Sequence, residues 1–212
     1  MQRSLVWHHR GVRRQTSSAL LVAAMILTGA GLTSCSASSP SASTSTSTSS
    51  TMAGALAVGA PFSATVPANC HLRDLGPTAL PDPSCTPGAL NPAVTQDTIA
   101  STICVPGYSS SVRPPQSFTY NLKVRQMRAW GITGSTRTIE EDHLIPISLG
   151  GAPSDARNLW PEPGGIPNVK DTLEARLYAQ VCKGAISLRD AQTQIAADWR
   201  TAYQRFVGPL PA

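Results

Sequence analysis

Four short stretches decide how the chain is read: Glu140-Glu141-Asp142-His143-Leu144-Ile145-Pro146, then Gly150-Gly151, then Asn158-Leu159-Trp160, then Asn168-Val169-Lys170-Asp171. Residues 136–148 set β-branched and apolar side chains (Thr136, Thr138, Ile139, Leu144, Ile145, Ile147) around an acidic patch. That composition predicts extended chain, and the glycine pair predicts a turn. Asn158-Leu159-Trp160 reads as a second, short extended piece. Helix follows, because Val169, Leu173, Leu177 and Val181 recur every four residues and Gly184 stops the run. A last helix starts at Ser187, with Asp190 three residues on as a capping box and Leu188, Ala191, Ile195, Trp199 and Phe206 as its buried stripe. The order is strand, turn-rich loop, short strand, helix, and the fold class is α+β.

Working outward, 67–115 is rich in Pro and Gly and reads as irregular chain, with one short helix near 95–103 that Thr95 can cap. A further helix is expected over 117–130, ended by Gly131. Upstream the character changes. Residues 1–15 are basic with no acid, and 19–32 are apolar, which is the layout of an export signal. The apolar run is shorter than the roughly 20 residues a membrane span needs. It ends at Leu32-Thr33-Ser34-Cys35, which resembles the lipobox of bacterial lipoproteins and implies a signal peptide over 1–34 and lipidation of Cys35. Thirteen of the 16 residues from Ser36 to Thr51 are Ser or Thr, so this stretch has too little apolar surface to offset the entropy of ordering it. It reads as a flexible tether over 35–66, ahead of one folded domain over 67–212.

Charge narrows the function. The chain has 212 residues, 17 of them basic and 12 acidic. Four of the basic ones, Arg3, Arg10, Arg13 and Arg14, lie in the signal, so the remainder carries 13 bases against 12 acids. A whole-surface electrostatic grip on duplex DNA is excluded; a local basic cleft is not. Beyond Cys35 four cysteines remain, Cys70, Cys85, Cys104 and Cys182, an even count that in an exported domain predicts two disulfides in one of three connectivities. We favour Cys70–Cys85, a local loop, with Cys104–Cys182 joining the front of the domain to its late helices. Zinc is disfavoured, because no Cys-x-x-Cys pair exists and only His71 and His143 follow the signal.

The four stretches together resemble the HNH, or ββα-metal, nuclease motif: Asp-His on a first strand, Pro three residues later, a Gly-Gly turn, Asn-Leu opening a second strand, and a metal ligand on the next helix. The likeness covers about 35 residues, 139–174, and implies a hairpin-plus-helix core with further helices around it. The wider run also resembles a set of exported bacterial domains with Asp-His-Leu-Ile-Pro and Asn-Leu-Trp-Pro-Glu stretches. Hydrolysing a phosphodiester requires a base for water and an offset for negative charge. A neutral imidazole suits the first task, and the resemblance makes His143 that base, Asn158 the residue that orients it, and Asp142 a metal ligand. The second ligand is Asn168 or Asp171; the fit is looser here, since Lys170 follows Asn168 at two residues rather than three. Such oxygen donors imply Mg²⁺ or Mn²⁺. Arg157 and Lys170 are the candidates for holding phosphate. Plainer roles compete for the same residues: Asn158 as a turn residue, Asn168 as a helix cap, Asp171 as a first-turn acid favoured by the helix dipole, Glu174 on a solvated face, and Trp160 and Trp199 in the core.

The resulting expectation is a metal-dependent nuclease hydrolysing phosphodiester bonds outside the cytoplasm, acting on DNA or RNA and held to the membrane by the lipid on Cys35. The alternative is a non-catalytic envelope lipoprotein that uses the same scaffold for binding. A purely structural, disulfide-stabilised domain is a third reading. No protein partner is legible.

Overall fold

Leu173, Leu177 and Val181, spaced at four-residue intervals, point into one core from helix α3 (Val169–Cys182), and Leu188, Ala191, Ile195 and Trp199 meet them from helix α4 (Leu188–Phe206). The computed structural model describes residues 57–58 and 65–211, and in them the chain is a mixed α+β protein. The expected signal, the lipidation at Cys35 and most of the tether lie outside the described residues. Among the described residues no helix is long and apolar enough to cross a membrane.

The strand-turn-strand-helix order is present. Strand β3 (Ile139–His143) pairs antiparallel with β4 (Leu159–Pro163), and α3 follows. A one-turn 3-10 helix, Ile147–Leu149, stands where the sequence predicted continued strand, so extended chain stops at His143. Leu144 and Ile145 then diverge. Leu144 packs with Trp130 and Trp160 over the Cys70–Cys85 bridge, while Ile145 and Leu149 join the α3–α4 core. Helix α2 (Gln116–Ala129) lies against both strands and donates from Gln126 Nε2 to the Leu159 carbonyl at 2.8 Å.

Three features were not foreseen. A short helix, α1 (Tyr108–Val112), precedes α2. Strand β1 (Ala57–Val58), within the stretch read as tether, pairs in parallel with β2 (Ala89–Leu90). Helix α4 breaks at Asp198, whose backbone is extended and whose Oδ1 accepts from the amides of Arg200 and Thr201, so it caps a second helical segment. The cysteines pair as favoured, Cys70 with Cys85 and Cys104 with Cys182. Two disulfides in a chain of this size mark an oxidising environment, consistent with export.

Candidate functional site

The β3–β4 register is unbroken from Ile139↔Pro163 to His143↔Leu159. With no bulge, successive side chains of β3 alternate between the two faces. Glu140 and Asp142, with Trp160 and Glu162 opposite them, turn toward α3; Ile139, Glu141 and His143 turn to the other face, where α2 packs. Neighbouring strand residues such as Asp142 and His143 can serve one centre only where a bend or bulge re-aims one of them. The strand supplies none, and the two side chains take different partners, Asp142 the Lys170 ammonium and the Trp160 indole, His143 the Pro153 carbonyl.

Beneath α3 a carboxylate cluster closes on one lysine. Lys170 Nζ donates to Asp142 Oδ2 at 2.8 Å, to the His143 carbonyl at 2.9 Å and to Glu174 Oε1 at 2.5 Å. Its side chain is wholly out of solvent. Trp160 Nε1 donates to the same Asp142 oxygen at 2.9 Å. Asn168 Nδ2 donates to Glu140 Oε2 at 2.8 Å and Glu162 Oε2 at 3.2 Å, which leaves Glu162 Oε1 buried without a hydrogen bond. Two carboxyl groups thus contact the ammonium, and two more, Glu140 and Glu162, gather on the Asn168 amide beside it. Burial, reinforced by the negative charge of Asp142, pushes Glu140 up to about 7 and Glu162 up to about 10. Burial also raises Glu174 to about 7, with the Lys170 ammonium opposing. Lys170 itself is held above its usual range by the neighbouring carboxylates, although burial acts the other way.

On the opposite face, His143 is 5 % exposed and its Nε2 lies 2.9 Å from the Pro153 carbonyl. A carbonyl only accepts, so Nε2 carries the hydrogen. Burial lowers the imidazole to about 4, with the Arg113 and Lys170 charges adding to the effect. At neutral pH the ring is therefore uncharged and its lone pair is on Nδ1, the form a general base needs. A cavity of about 630 Å³ opens between the start of β3 and the first half of α2, lined in part by Arg113, Tyr120, Lys123, Arg137 and Glu141. Lys123 Nζ donates to the carbonyls of Thr136 and Ile139, both at 2.8 Å. The Glu141 carboxyl oxygens are buried without a hydrogen bond, and burial raises that acid well above its ordinary range.

The Asn158 side chain hydrogen-bonds not to His143 but to the loop beyond it. Its Oδ1 accepts from the Ile145 amide at 3.0 Å, and its Nδ2 donates to the carbonyls of Ile145 at 2.9 Å and Ala152 at 3.1 Å. It acts on the imidazole at one remove, by fixing the loop whose next carbonyl, Pro153, holds Nε2. This clamp explains Gly151: a Cβ there would lie 1.7 Å from the Ile145 carbonyl oxygen.

The remaining expected site residues are engaged internally. Asn168 and Asp171 form the capping box of α3, the Asp171 amide donating to Asn168 Oδ1 at 3.2 Å and the Asn168 amide to Asp171 Oδ2 at 2.9 Å. Arg157 donates from Nε and Nη2 to the buried Asp155, at 3.1 and 2.6 Å. Arg157 and Lys170, expected to meet phosphate, are both in internal ion pairs. Glu174 is on Lys170 rather than on a solvated face. Trp160 and Trp199 are fully buried, as expected of core residues.

Asp142 Oδ2, Asn168 Oδ1 and Asp171 Oδ2 are each committed to an N–H group, which leaves one oxygen of each carboxylate, Asp142 Oδ1 and Asp171 Oδ1, outside these bonds. Among the described residues no group of three or more His, Cys, Asp or Glu side chains is arranged to hold a metal ion. Glu140, Glu162 and Glu174 were missed as members of the cluster. The register that sets Glu162 beside Glu140 is not visible in the sequence, but the i,i+4 spacing of Lys170 and Glu174 is. Comparison with protein-family models, curated proteins and solved structures yields no match.

Proposed function

We propose that the chain is an exported hydrolase of phosphodiester bonds, a nuclease of HNH-like design, with His143 as its general base. One observation carries the reading: a single buried imidazole, neutral at physiological pH, has its tautomer set by the Pro153 carbonyl, with no partner on Nδ1 among the described residues. Nδ1 takes the proton of the attacking water, and the imidazolium so formed keeps its bond to Pro153. The cavity between β3 and α2 is lined by basic residues, Arg113 and Arg137 among them, which supply charge for a phosphate chain where the molecule as a whole does not; Arg113 is also close enough to act on His143. A divalent cation enters this proposal only by displacing Lys170 from Asp142, and no step is assigned to one. Anchorage of the domain by a lipid on Cys35 belongs to the same proposal.

The test uses the purified, disulfide-intact protein on supercoiled plasmid, single-stranded DNA and RNA, with Mg²⁺, Mn²⁺ or EDTA, beside His143→Ala. Cutting that the variant loses while keeping its fold is the expected result, and the EDTA arm reports whether a metal takes part. Cutting unchanged in His143→Ala would refute the base.

A second reading has its own support. Lys170 seated against Asp142, together with the near-complete burial of His143, favours a scaffold that binds without catalysing. Absence of cutting on every substrate, from folded protein, would select it.

A further inference from the structure

We infer that the carboxylate centre beneath α3 is closed by a lysine: the Lys170 ammonium holds the position between Asp142 and Glu174 that a hard divalent cation would take, and the folded chain needs no metal there. The inference stands on the α3 face alone and holds whether or not His143 catalyses.

Three oxygens from two elements converge on one nitrogen: the carboxylate of Asp142 and the carbonyl of its neighbour His143 on β3, and a carboxylate one turn along α3. An ammonium has three N–H donors and no acceptor, so these oxygens use its whole capacity. They are also the hard donors that Mg²⁺ and Ca²⁺ select. The separations of 2.8 and 2.9 Å from Asp142 and the His143 carbonyl are those of ordinary N–H···O bonds, and the one to Glu174 is shorter. Mg²⁺ would draw the same atoms in to about 2.1 Å, against a close-packed surround in which Trp160 and Leu173 are fully buried.

Asp142 Oδ2 gives a second argument. It already accepts from Lys170 Nζ and Trp160 Nε1, so a cation on that oxygen would face two positively polarised donors. At the helix start Asn168 Oδ1 and Asp171 Oδ2 are spent on each other's amides, so a cation recruiting either would have to break the cap of α3. The lysine stem is out of solvent as well, so the ammonium cannot withdraw without opening the first turn of α3.

The test is Mn²⁺ binding by calorimetry, with melting curves in excess Mn²⁺ or EDTA, on the full disulfide-intact chain. The wild type is expected to bind no stoichiometric Mn²⁺ and to melt at one temperature in both solutions. Lys170→Ala, which leaves two carboxylates and a carbonyl facing a gap, is expected to bind Mn²⁺ at least about tenfold more tightly than the wild type and to melt higher as Mn²⁺ is added. Asp142→Asn in that background should remove both effects. Stoichiometric Mn²⁺ on the wild type, lost in Asp142→Asn, would overturn the inference, as would a folded Lys170→Ala that ignores Mn²⁺. Where Lys170→Ala does not fold in either solution, the wild-type titration decides alone.

Discussion

At Asn158 one side chain replaces a stretch of regular structure. Its amide satisfies the N–H and C=O of Ile145 and the C=O of Ala152, three buried main-chain groups that the strand beyond His143 no longer pairs. Asn158→Ala leaves them without partners, and unsatisfied buried groups cost about 1–3 kcal/mol each before relaxation. We expect a net loss of about 2–4 kcal/mol in denaturant unfolding. Asn158→Asp should fare no better, because a carboxylate cannot donate to the two carbonyls. Gly151→Ala is expected to be worse, at more than about 4 kcal/mol or failure to fold, since its Cβ would overlap a main-chain oxygen. Either variant melting like the wild type would remove the clamp from the account. The composition of the loop announced a turn and the glycine pair announced its tightness, so its existence was legible. Asn158's partners were not, because they depend on where β3 ends, and alternating apolar residues through Ile147 concealed that end.

Element by element, legibility follows how local the determinants are. The α3 stripe and the helix caps are set within one or two helical turns, and the stripe and Asn168 as N-cap are present as read. Asp171 adds the reciprocal bond of a capping box that was not read, and of the box read at Ser187 and Asp190 the bond from the Asp190 amide to Ser187 is present. The cluster beneath α3 depends on register between strands 20 residues apart, on an unbroken β3, and on a lysine turning inward. None of these leaves a periodic trace. Asn168 joins the two levels, capping α3 with its oxygen and holding Glu140 and Glu162 with its nitrogen. Asn168→Ser keeps a capping oxygen and removes the amide, whereas Asn168→Ala removes both. Loss of the cap costs about 1 kcal/mol, so Ser is expected to melt between wild type and Ala. A Ser variant as weak as Ala would mean that the contact to the two glutamates dominates. The disulfides separate in the same way. Loop entropy assigns about 3 kcal/mol to a bridge with the 15-residue separation of Cys70–Cys85, and about 4.5 kcal/mol to one with the 78-residue separation of Cys104–Cys182. Replacing the second pair by Ser should therefore lower the melting temperature further than replacing the first.

For the whole molecule, the buried titratable groups fix how stability responds to pH. His143 stays neutral in the fold down to about 4, while in the unfolded chain it takes a proton near 6.5. Between those values the unfolded state binds more protons, and this residue makes stability fall as pH drops. The carboxyls act oppositely and outnumber it. Glu140 and Glu174 at about 7, Glu162 at about 10 and Glu141 well above its ordinary value keep protons that the unfolded chain releases near 4.5. Their contribution is complete below about 4.5 and is lost as pH rises through 7 and on toward 10. Each extra proton held by the fold changes stability by about 1.4 kcal/mol per pH unit, so four carboxyls outweigh one imidazole across 5 to 7. The chain should melt at a higher temperature at pH 5 than at pH 8, and Glu162→Gln, neutral in both states, should gain on the wild type steadily as pH rises over that range. Calorimetric melting at pH 5, 6.5 and 8 checks both statements. A melting temperature that rises from pH 5 to pH 8 would mean that the cluster ionises with a countercharge other than Lys170. If the same rise vanished in EDTA, the countercharge would be a metal ion, and both the pH argument and the lysine-closed centre would fall together.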